Sequence, residues 1–195
     1  MRLFVAVDLN DSIRGQITRF LEGVRGFAPE ARWVRPESLH VTLKFIGERQ
    51  EDEVEKIKTA LATVRAASFD LNFRGCGYFP SARAARVFWV GVESDETLGS
   101  LAAAVDEGLA PLGIPKEEHG FNAHLTLARS GAQSRPQRKD KAKSAGRIFQ
   151  HLQEKLAALP TAEFGTMMAG EFFLYRSQLS PHGSRYTKLA RFGLP

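Results

Sequence analysis

One cysteine, Cys76, stands in 195 residues. That excludes an internal disulfide framework and any cysteine-rich zinc site. No run of 18 or more apolar residues occurs, so no transmembrane helix and no membrane partner is expected. The apolar stretch at residues 1–8 is too short for a signal peptide, and no small-residue cleavage site follows it. The expectation is a cytoplasmic protein. The metal-ligand spacings H-x-x-x-H and paired cysteines are missing, and no acidic cluster accompanies the histidines, so no metal and no cofactor is expected. Low-complexity tracts and clean linkers are missing too, which argues for a single domain over 1–195. Hydrophobic residues make up 43% and charged residues 25%, an ordinary globular balance. The net charge of +5 favours an anionic partner, nucleic acid being the commonest, though alone it is a weak signal.

What is present is one short pattern used twice. His40-Val41-Thr42-Leu43 and His124-Leu125-Thr126-Leu127 both read H-x-T-L, inside apolar, β-prone runs. Residues two apart in a strand share a face. Each copy therefore presents one imidazole beside one hydroxyl, with the apolar residues turned to the core. With five His and nine Thr, a lone H-x-T arises by chance in roughly a quarter of such chains. Two copies with equivalent surroundings are a far stronger signal.

The echo extends beyond the motifs. At the same offset of 84 residues (40 to 124), the N-terminal strand run 2–7 falls on 86–91, Asp11 on Asp95 and Gly47 on Gly131. A helix follows each first strand. Asn10 or Asp11 precedes Ile13, Ile17, Leu21 and Val24; Asp95 precedes Leu98, Leu101, Val105 and Leu109. Units of about 2–47 and 86–131 thus read strand, helix, connection, H-x-T-L strand, aligned without a gap. Two further helices are predicted over 51–64 and 146–159, and strands over 69–78, 170–175 and 185–192. The sum is an α+β pattern.

The chemistry that suits two imidazoles and two hydroxyls is metal-free phosphodiester transfer. Neutral His takes a proton from a nucleophile, and protonated His gives one to a leaving oxygen. Thr42 and Thr126 can donate to non-bridging phosphate oxygens, where charge develops. A cyclic phosphate fits such a cage, with water attacking opposite a departing ribose oxygen.

At these residues the chain resembles the 2H phosphoesterase superfamily, specifically the LigT-like RNA 2′,3′-cyclic phosphodiesterases, also called 2′-5′ RNA ligase-like proteins. The resemblance runs from Arg2-Leu3-Phe4-Val5-Ala6 through 34–47, Phe79-Pro80 and 86–91 to His124-Leu125-Thr126-Leu127-Ala128-Arg129. It ends with Leu174-Tyr175-Arg176-Ser177 and Tyr186. It implies a bilobal fold of two pseudo-symmetric lobes, each with an antiparallel sheet and outer helices, and an active cleft between them. It also implies hydrolysis of RNA 2′,3′-cyclic phosphate ends, tRNA fragments among them, to 2′-phosphomonoesters; nothing in the sequence calls for more than a monomer. By the same resemblance His40 is the proton donor, His124 the base, and Arg129 a phosphate-binding residue. The residues themselves do not distinguish acid from base. Ligation of 2′-5′ ends and a non-catalytic RNA-binding module are the alternatives.

Strand alternation alone would turn Arg129 away from Thr126, so its role needs the strand to end or bend. Phe45 holds the corresponding place after the first motif and is read as a core residue, with base stacking as the alternative. Arg185 and Tyr186 could border the cleft. Cys76 is read as inert, His119 and His182 as loop or turn residues, and His151 as a helix-surface residue. The basic stretch 134–143 reads as a solvated surface loop, with an RNA-facing flap as the alternative.

Overall fold

The computed structural model describes residues 1–131, 147–180 and 183–195. In chain order the elements are β1 (Arg2–Asp8), α1 (Asp11–Val24), β2 (Ala31–Trp33), β3 (His40–Glu48), α2 (Val54–Ala62), β4 (Phe69–Phe79), β5 (Val87–Glu93), α3 (Glu96–Leu109), β6 (His124–Ser130), α4 (Gln150–Ala157), β7 (Glu163–Ala169), β8 (Glu171–Ser180) and β9 (Gly183–Gly193). The basic stretch 134–143 and His182 lie outside the described residues.

Local chemistry accounts for most of these boundaries. Asn10 caps α1 by accepting from the Ile13 amide at 2.9 Å, and Asp95 caps α3 by accepting from the Thr97 amide at 2.8 Å. The apolar stripes Ile13, Ile17, Leu21, Val24 and Leu98, Leu101, Val105, Leu109 are buried. The helix predicted over 51–64 begins as a 3-10 turn at Glu51–Glu53 and is α-helical only from Val54. Gln50 and Glu53 form a reciprocal capping box there. The helix predicted over 146–159 is shorter at its C-terminal end: α4 stops at Ala157 and leaves Leu159 exposed. Two strands were not legible. β2 is only three residues long, and in β7 the buried Phe164 and Met167 are three apart, because the pairing with β4 slips at Phe73/Arg74.

All strand pairs are antiparallel. One half-sheet runs β7-β4-β5-β6 and the other β3-β1-β8-β9, with β2 added beside β6. Among the described residues, the halves meet in one continuous sheet through a single partnered pair, Val41 of β3 and Leu125 of β6. Helices cross between halves. α1 follows β1 but sets Phe20 edge-on to Phe164 of β7 at 5.1 Å. α3 follows β5 but is tied to β3 by the buried Lys44, which pairs with Asp106 and donates to the Pro115 carbonyl at 2.7 Å. The main core lies on the helix-covered face of the sheet. A separate small cluster, Phe4, Ala6, Phe173 and Tyr175, lies on the opposite face.

The pairing around each motif recurs, but with one correction to the gap-free echo. In β1 and β3, Ala6 stands across from Thr42 and Asp8 from His40. In β5 and β6, Trp89 stands across from Thr126 and Gly91 from His124. The motifs keep the offset of 84, whereas their partners on the first strands are 83 apart (6 to 89, 8 to 91). The core face decides this: Val5 and Val7 are buried in the first copy, Phe88 and Val90 in the second.

Candidate active site

Alternation in β3 and β6 buries Val41, Leu43, Leu125 and Leu127, leaving His40, Thr42, His124 and Thr126 half-buried on the opposite face. The Val41–Leu125 pair sets an antiparallel register in which position 40 lies across from 126 and position 42 across from 124. Neighbouring strands lie about 4.8 Å apart, and alternate residues about 6.6 Å. The two H-x-T motifs are thus related by a local two-fold through that pair, with their four side chains on one face.

Both imidazoles are held the same way. Nδ1 of His40 is 2.7 Å from the Ser38 carbonyl, and Nδ1 of His124 is 2.8 Å from the Asn122 carbonyl. A carbonyl only accepts, so each Nδ1 carries the proton and donates it. The Nε2 atom of each neutral ring is left with its lone pair. Burial pushes His40 down to about 4, with Arg129 and Arg14 acting in the same direction and the Ser38 hydrogen bond and Asp8 opposing. Burial lowers His124 as well, Arg129 adding to it and the Asn122 hydrogen bond opposing. Burial therefore favours the neutral form of both rings in the free protein. A bound phosphate would offset the Arg129 charge and favour protonation.

A cavity of about 230 Å³ opens on this face. His40, Thr42, Thr126 and Arg129 all line it, together with Phe4, Phe45, Tyr186 and Arg2. His124 is not among its lining residues. It stands two residues from Thr126 on the same strand face, with Phe79 edge-on to its ring at 4.9 Å and Trp89 at 6.5 Å.

Arg129 reaches the cavity because β6 bulges. Thr126 pairs with Trp89 and Ala128 with Phe88, so Leu127 is an extra residue and the alternation flips after it. Leu127 and Ala128 are both buried, and Arg129 emerges on the motif face. β3 does the same at the equivalent place, where Leu43 is extra and Lys44 follows it into the interior. Phe45 then faces the cavity and is 60% exposed. The core reading of Phe45 is thereby corrected. Consecutive apolar residues at 127 and 128 were the available signal for the bulge; Lys44 hides it in the first copy.

An aromatic wall surrounds His40 and was only partly legible. Phe4 packs against the His40 ring at 4.7 Å, Tyr186 stands edge-on to it at 5.2 Å, and Tyr175 stacks on Phe4 at 5.0 Å. Arg185 is exposed and does not line the cavity. His119 is exposed in a loop and His151 lies exposed on α4. Burial pushes the Cys76 thiol up to about 12, which removes it as a nucleophile. Among the described residues, no group of three or more His, Cys, Asp or Glu side chains could hold a metal ion. No helix among them is long and apolar enough to cross a membrane.

Two opposed histidine–threonine pairs and an arginine, on the open face of a curled antiparallel sheet, form a centre suited to phosphoester chemistry. The chain belongs to the LigT-like phosphoesterase family, within the 2H phosphoesterases, as the motif resemblance implied. The family model "LigT like Phosphoesterase" matches it twice, over residues 7–89 and 90–186. A protein of Methanothermobacter thermautotrophicus named RNA 2′,3′-cyclic phosphodiesterase is 33% identical, over 100% of this chain and 99% of that protein. One of the same name from Archaeoglobus fulgidus is 35% identical over 98% and 99%. The crystal structure of a Thermus thermophilus protein superposes with a TM-score of 0.76 at 32% identity, covering 100% and 98% of the two chains. That of Escherichia coli LigT complexed with 3′-AMP gives 0.76 at 28% identity over 99% and 97%.

Proposed function

We propose that this chain hydrolyses RNA 2′,3′-cyclic phosphate ends to 2′-phosphomonoesters without a metal, as a cytoplasmic monomer with tRNA fragments among its substrates. The observation that carries the proposal is the local two-fold at Val41–Leu125, which sets two identically anchored His-Thr pairs on one face. The names of the full-length relatives support the same activity.

In the proposed reaction, the Nε2 lone pair of His124 takes a proton from water as its oxygen bonds to phosphorus. The bond from phosphorus to the ribose 3′ oxygen breaks, and the protonated Nε2 of His40 delivers a proton to that oxygen. Thr42, Thr126 and Arg129 donate to the non-bridging oxygens, where negative charge accumulates. The assignment of acid and base follows the family resemblance. Proton exchange with solvent resets both rings. Phe45, exposed at the cavity mouth, offers a face to the terminal base. The single domain is proposed to be made of two intertwined lobes built from units of about 2–47 and 86–131.

The test is an oligonucleotide ending in a 2′,3′-cyclic phosphate, incubated with purified protein in EDTA. The expected product is a 2′-phosphomonoester. Joining to an added 5′-hydroxyl RNA in preference to opening would favour 2′-5′ ligation instead. Binding without turnover would leave a non-catalytic RNA-binding module.

A further inference from the structure

The scaffold around the two histidines is symmetric, but its charges are not. His40 faces Asp8 across the β1–β3 pairing, whereas His124 faces Gly91 across the β5–β6 pairing. Glycine offers no charge and no hydrogen-bonding side chain. The first imidazole therefore has a carboxylate on the adjacent strand, and the second has none there.

That carboxylate is fixed in place. Asp8 accepts from Arg14 at 2.5 Å through one oxygen and pairs with Lys188 at 2.5 Å through the other, while the Leu9 amide donates to it at 2.9 Å. Lys188 is itself held over the Phe173 ring at 4.0 Å. Burial works against the charged form of Asp8, but the Lys188 hydrogen bond and the charges of Arg14 and Lys188 outweigh it and keep the carboxyl below its ordinary value. Asp8 is thus an anion throughout the working pH range, and it acts on His40 as a charge rather than as a proton carrier.

We infer that Asp8 is a positioning residue that favours the protonated form of His40 through a fixed charge on the neighbouring strand, which Gly91 does not supply to His124. This rests on the proposed cyclic-phosphate chemistry; the assignment of acid and base still follows the family resemblance, because burial outweighs Asp8 at His40. The other groups around His40 set the balance. Arg14 from α1 and Arg129 from β6 oppose protonation. Tyr175 from β8 and Tyr186 from β9 border the ring, and burial raises Tyr175 above its ordinary value, so it stays neutral. Lys188 from β9 screens Asp8. His124 lacks the Asp8 influence altogether and shares only Arg129 with His40.

The arrangement makes predictions of opposite sign. Removing the anion with Asp8→Asn should lower the His40 titration point by about half a pH unit, and removing its cationic partner with Lys188→Met should raise it by a similar amount. Well above that point, only a small fraction of His40 is protonated, so a rate that needs the acid form follows the fraction. At pH 7.5 kcat/KM on a cyclic-phosphate end should fall about threefold in Asp8→Asn and rise in Lys188→Met. NMR titration of the His40 and His124 ring protons, alongside those rates, is the experiment. Support is opposite shifts at His40, a fixed His124, and rates that follow His40. Changes of the same sign in both variants, a His124 that moves with His40, or rates indifferent to the His40 titration would overturn the inference. If Asp8→Asn does not fold, the Lys188→Met arm decides alone. If the wild-type protein opens no cyclic ends, the proposed activity fails, while the NMR shifts still decide whether Asp8 acts on His40.

Discussion

Across from Thr42 stands Ala6, and across from Thr126 stands Trp89; across from His40 stands Asp8, and across from His124 stands Gly91. The two halves share pairing register, bulge and imidazole anchoring, and differ in what decorates them. The β1–β3 side is small at the threonine and charged at the histidine. On the β5–β6 side the Trp89 indole lies over Gly77, where a Cβ would sit 2.2 Å from the ring. Backbone pairing thus fixes where the two His-Thr pairs stand, and the neighbouring strand sets what lies beside each.

The comparison breaks most sharply at the histidines. His40→Ala and His124→Ala should each lower kcat by about 10²- to 10⁴-fold with the fold retained. The double variant should be scarcely worse than either single one, because the two rings act in one step. A next-larger contrast lies at the bulges. Arg129→Gln loses a charged donor and should raise KM about 10- to 100-fold. Phe45→Ala, at the equivalent place, should raise KM less, about fivefold, and leave kcat largely intact. Steady-state rates on one cyclic-phosphate oligonucleotide measure all four.

Stability offers two smaller contrasts. Lys44 is 2% exposed and pairs with Asp106, whereas its counterpart Ala128 is an apolar residue. Lys44→Ala should cost about 3 kcal/mol in urea unfolding, since it leaves Asp106 without its cation. The pH dependence follows from burial of the rings. His40 titrates near 4 when folded, against 6.5 for an ordinary imidazole. Between those values the unfolded chain binds a proton that the folded chain does not, so stability falls as the pH falls from 6.5 to 4. His124 is shifted in the same direction. Removing one titration by His40→Gln should flatten that loss by about 2 kcal/mol, read from urea midpoints at pH 7 and 4.5.

Much of this was legible because period-two and period-3.6 patterns survive where one face is buried. Val41 and Leu43, Leu125 and Leu127, and the stripes of α1 and α3 all declared their faces in the sequence. The two motifs named four side chains that the structure sets on one face of the sheet. What escaped reading was local departure from period. A bulge adds one residue and reverses every face after it, which is why Arg129 looked turned away and Phe45 looked buried. β7 escaped for the same reason, through the slip beside Gly165. The partners Asp8, Phe4 and Trp89 were invisible as site residues because cross-strand register is a tertiary fact. An offset of 84 applied to the first strand misassigned that register by one residue.

The central claim is that both motifs act on one phosphate. The most direct measurement is the position of a bound product, a nucleoside 2′-monophosphate, in a crystal of the wild-type protein. One phosphate should lie within hydrogen-bonding distance of Nε2 of both His40 and His124, with the Thr42 and Thr126 hydroxyls on its remaining oxygens. A phosphate held by one motif alone, with the other imidazole out of reach, would contradict the account.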